Sequence, residues 1–175
     1  MTVWEQLIGQ DPAVATLRGR TWRGSTEERR PPLVTLAWPR LADDGALDRA
    51  IGAMLGLLLG DSAGAGDGRI AGQPGASGEA MLAAARALAA GNLPPPGGGL
   101  PGVVPAALTT RDSAAAVEMA RSGADPIRCR TLAAGIAAGL RGAGEPEVLR
   151  IAGGAPDDPA LAGALRGVAL GRRAF

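Results

Sequence analysis

The stretch Asp48-Arg-Ala-Ile-Gly-Ala-Met-Leu-Gly-Leu-Leu-Leu-Gly-Asp-Ser-Ala-Gly-Ala-Gly66 decides the fold class. From Asp48 to Gly60 it reads as a helix with apolar residues on nearly every face, the pattern of a buried helix rather than a surface one. Gly52, Gly56 and Gly60 recur at four-residue spacing. That spacing aligns them as a smooth stripe on one face, along which a neighbouring helix can come close. The most apolar part, Ile51 to Leu59, has about half the length that a membrane span requires.

Working outward, similar helical segments follow, punctuated by Gly and Pro. Residues 61–78 are Gly-rich and read as a long loop. Glu79 to Ala90 is Ala- and Leu-rich and stops at Gly91-Asn92, a strong helix signal. Leu93 to Gly102 reads as a Pro/Gly loop. Ser113 to Ser122 is a helix capped by Asp112 or Ser113 and ended by Gly123. Pro126 starts the next, which runs to about Arg141, and Glu145 to Ala152 follows. The last, Pro159 to Leu170, begins with Asp158 as cap and Pro159 in the first turn. Toward the N-terminus, Asp11-Pro12 offers another helix start, while residues 19–46 are polar and Arg-rich apart from Leu33 to Trp38, a short strand or buried extended segment. The expected organisation is an N-terminal arm or linker over 1–45 and a helical domain over 46–175. The fold class is all-α, a compact bundle of about six short helices joined by Gly/Pro-rich loops.

Composition narrows the chemistry. All 18 basic residues are Arg, and the chain has no Lys, His or Tyr. Without His there is no Ser-His or Cys-His pair and no imidazole ligand or base. Without Lys there is no Schiff base and no P-loop lysine. Any enzyme here works through the 17 Asp and Glu side chains, with a metal to assist them. Aromatics are 2% of a chain that is 46% hydrophobic, so the core must be packed from small side chains. A net charge of +1 gives no field that would attract nucleic acid. One cysteine, Cys129, excludes an internal disulfide framework and a cysteine zinc site. Trp4-Glu5-Gln6 interrupts any early apolar run, so no secretory signal is read and a cytoplasmic protein is expected.

In order along the chain, several segments resemble the ADP-ribosylglycohydrolase family. The helix of residues 48–66 is similar to the family's opening helix, which ends in a Gly-Asp turn matched by Gly60-Asp61. Residues 78–91 resemble its second helix, 100–108 its Leu-Met-Arg-x-x-Pro-x-x-Leu segment, and 153–171 the segment around its second metal motif. The resemblance covers roughly residues 46–171 of a chain shorter than usual members, which implies a truncated form of that fold. It implies an ADP-ribosyl glycohydrolase, a hydrolase that cleaves the bond between ADP-ribose and an acceptor with two divalent cations, usually magnesium.

The departures change what that kinship can mean. Hard cations need oxygen ligands, mainly carboxylates. Where the family has Thr-Asp-Asp-Thr, this chain has Gly75-Ala76-Ser77-Gly78, and Ala155-Pro156-Asp157-Asp158 replaces Asp-x-Asp-Thr. The family's arginine falls on Gly102. Asp157, Asp158 and Asp67 remain as candidate metal ligands, with Asp157-Asp158 before Pro159 also reading as an ordinary helix cap. Asp61, Ser77 and Gly78 are the candidate ligand-binding residues, and Asp61 has a competing structural duty toward loop amides. No catalytic residue is assigned. The expected function is a degenerate, non-catalytic relative that binds an ADP-ribose-like ligand or a protein partner. No cofactor is expected, or magnesium if activity survives. The alternatives are a weak metal-dependent hydrolase and a structural or assembly domain without ligand.

Three lesser signals remain. Residues 72–80, Gly-Gln-Pro-Gly-Ala-Ser-Gly-Glu-Ala, have the look of a phosphate loop but carry Glu79 near the cation position; only backbone amides could meet an anion there. Cys129 between Arg128 and Arg130 reads as a small packing residue, or as an activated thiolate if exposed. Residues 1–18 resemble the start of the clamp-loader delta-prime subunit, a short likeness from which no function is carried over.

Overall fold

Glycines at positions 52, 56 and 60 leave one face of their helix without side chains, and the fold is organised around what fills it. The computed structural model describes residues 44–64, 74–110 and 112–175. Among them are seven α-helices and no strand: α1 (Asp44–Gly64), α2 (Ala76–Ala89), α3 (Gly99–Thr110), α4 (Ser113–Ala120), α5 (Pro126–Leu140), α6 (Glu145–Ile151) and α7 (Pro159–Leu170), then a 3-10 turn at Gly171–Ala174. The described residues form an all-α bundle. No described helix is long and apolar enough to cross a membrane.

The most extensive contact joins α1 to α7. Gly52 lies against Gly167, Gly56 against Gly163, and Gly60 against Pro159 and Ala160. Each step of four along α1 is a step of four backwards along α7, so the two helices run antiparallel. A Cβ on Gly56 would run into the carbonyl oxygen of Gly163, and a Cβ on Gly163 into that of Gly56. The Gly52–Gly167 pair is reciprocal in the same way. The hydrogen that glycine carries in place of a Cβ therefore points at a carbonyl across the interface, the arrangement of weak Cα–H···O bonds. Helical glycine costs about 1 kcal/mol relative to alanine at each position. Backbone-to-backbone packing along the seam offsets that cost.

The remaining helices complete the core. From Gly102 to Leu108 every residue of α3 is buried, and α3 packs against α2, α4 and α5. Leu57, Met81, Leu108, Ile136 and Leu165, from five helices, are among the largest fully buried side chains. Alanine and valine fill much of the rest, consistent with helices that approach closely. Gly135 of α5 faces α6, its Cβ direction 2.8 Å from Ala152 Cβ, and Gly139 faces Val168 of α7 at 2.6 Å.

Three segments differ from the sequence expectation. The first helix begins at Asp44 and continues through Asp61 and Ser62 to Gly64, and α2 starts at Ala76, so the loop read over 61–78 is shorter at both ends. The arm expected over 1–45 thus overlaps the start of α1, and residues 1–43 lie outside the described residues, as do Leu33 to Trp38. The loop read over Leu93 to Gly102 ends at Gly98; α3 begins at Gly99 with Pro105 inside it. Pro101 falls in the first turn, where amide hydrogens have no helical acceptor anyway. Pro105 forfeits one internal bond, but the surrounding core buries it along with both neighbours. The α4 helix stops at Ala120 because Arg121 takes a left-handed conformation (φ 47°), two residues before Gly123. Elsewhere Asp112 caps α4 as expected, accepting from Ala114 N (2.8 Å) and Ala115 N (3.2 Å), and the structure adds Asp125 as the cap of α5, accepting from Ile127 N (3.0 Å).

Candidate functional site

The start of α2 lacks a capping side chain of its own, because its N-cap residue is Gly75. The carboxylate comes instead from the last turn of α1. The Gly78 amide donates to Asp61 Oδ2 at 2.9 Å, across 17 residues of sequence. Gly78 is the third residue of α2, the position whose amide an N-cap side chain ordinarily serves. Asp61 is half-buried and Gly78 buried, so the bond is shielded on one side. A Cβ on Gly78 would sit 2.9 Å from Asp61 Oδ2 and equally close to Pro74 Cβ. Glycine is what lets the carboxylate reach the amide. The positive end of the α2 dipole favours this negative charge, so the carboxylate occupies the place where an external anion would otherwise be drawn.

A second segment meets the same end of α1. Gly60, beside Asp61, lies against the Pro159 carbonyl and Ala160. Asp158 caps α7, accepting from Ala160 N at 2.9 Å, with Pro159 in the first turn. Asp158 is half-buried and Asp157 exposed. The structure therefore brings Gly60-Asp61, Ser77-Gly78 and Asp158-Pro159 around one end of α1. Ser77 is half-buried beside Gly78, and Glu79 is exposed in the same turn. Asp67 lies outside the described residues. Among the described residues no group of three or more His, Cys, Asp or Glu side chains is arranged to hold a metal ion.

The chemistry this arrangement offers is mainly hydrogen bonding. Asp61 and Asp158 each hold a backbone amide at the start of a helix. Cys129 is fully buried, its Sγ 3.1 Å from Ser122 Oγ, while Arg128 and Arg130 on either side are exposed. This is the packing role expected of it, not that of an accessible thiolate. Ser122 Oγ also accepts from Ala124 N (3.2 Å), and the Ser122 carbonyl from Gly99 N (2.9 Å), tying the α4–α5 turn to the start of α3.

The sequence reading missed the partner of the glycine stripe. Gly163, Gly167 and Gly171 repeat the four-residue spacing of Gly52, Gly56 and Gly60. That matched spacing was the available signal for the pairing, and with it the placement of Pro159 beside Gly60. No protein-family model, curated protein or solved structure matches the chain.

Proposed function

We propose that this chain is a degenerate, truncated ADP-ribosylglycohydrolase-like domain that binds an ADP-ribose-like ligand and does not hydrolyse it. The observation that carries the reading is the convergence at the end of α1. Three segments that carry the family resemblance reach that end of α1: Gly60-Asp61 lies on it, Gly78 joins it through the hydrogen bond to Asp61, and the start of α7 joins it through the contact of Pro159 with Gly60. Catalysis is disfavoured because two of the three described candidate carboxylates, Asp61 and Asp158, already hold backbone amides. Two divalent ions bring four positive charges and call for several carboxylate oxygens directed at one point. In this reading the protein is cytoplasmic and its ligand is a small molecule; a protein partner is the other occupant such a surface could take.

Calorimetry tests it. ADP-ribose is expected to give a saturable heat, and magnesium none. A saturable magnesium heat that disappears in Asp157→Ala would favour the weak hydrolase reading, in which magnesium is the cofactor. Absence of both heats would leave a structural or assembly domain as the better account.

A further inference from the structure

We draw no further inference here: the strongest candidate, the start of α2 where the Asp61 carboxylate meets the Gly78 amide, belongs to the site already described, and nothing in the structure marks a ligand beside it.

Discussion

At Asp61, a single carboxylate substitutes for a cap that the local sequence of α2 does not supply. Removing an N-cap acceptor costs about 0.5–2 kcal/mol, and Asp61→Ala is expected to lower stability by that amount in urea unfolding. Asp61→Asn keeps an acceptor oxygen and should lose less; equal losses in both variants would show that the amide contact is not what matters. Another residue-scale pair sits on α6, where Arg150 donates twice to Glu147 (2.9 and 2.7 Å). The Arg150 hydrogen bond and charge hold the Glu147 carboxyl below its usual range. A group depressed in the folded state stabilises above its unfolded value and loses that contribution as pH falls through its folded one. The pair is exposed, so the effect is small. NMR titration should find Glu147 with the lower midpoint in wild type and an ordinary glutamate midpoint in Arg150→Gln.

Among the elements, the α1–α7 seam makes predictions whose sign is diagnostic. Helix propensity alone says that Gly→Ala stabilises by about 1 kcal/mol. Gly56→Ala and Gly163→Ala would each place a methyl against a backbone carbonyl of the opposite helix, and overpacking of this kind costs about 1–3 kcal/mol. Both variants should therefore be destabilised. Gly102→Ala in α3 is the contrast, since its Cβ would meet nothing within 4 Å, and it should gain up to about 1 kcal/mol. Denaturant midpoints for the three variants decide the matter; stabilisation of all three would mean that the seam is not close-packed. The same elements show what was legible in the chain. The α7 bounds follow from Asp158-Pro159 and the apolar run behind them, because capping is local chemistry. The α3 helix was hidden because Gly and Pro are penalised locally, whereas burial of Gly102 to Leu108 is settled by other helices. The ends of α1 and α2 were misplaced for a related reason: the Asp61–Gly78 bond spans 17 residues, and no window of sequence contains both its donor's helix and its acceptor's.

For the whole molecule, the described helices close on one another and share one core. These helices are accordingly expected to unfold in one cooperative thermal transition when followed by circular dichroism. Two separate transitions would show that they are not one folding unit. All-α character was readable from composition and helix signals; which end of α1 would gather the candidate residues was not, because that depends on the register of α1 against α7. That register has a temporal side. Gly52 and Gly167 are 115 residues apart (167 − 52), and at about 5–20 residues per second of synthesis the glycine face of α1 waits on the order of ten seconds for its partner to be made. Throughout that interval the glycine face of α1 has no partner in the nascent chain, and the seam can close only once α7 has been made.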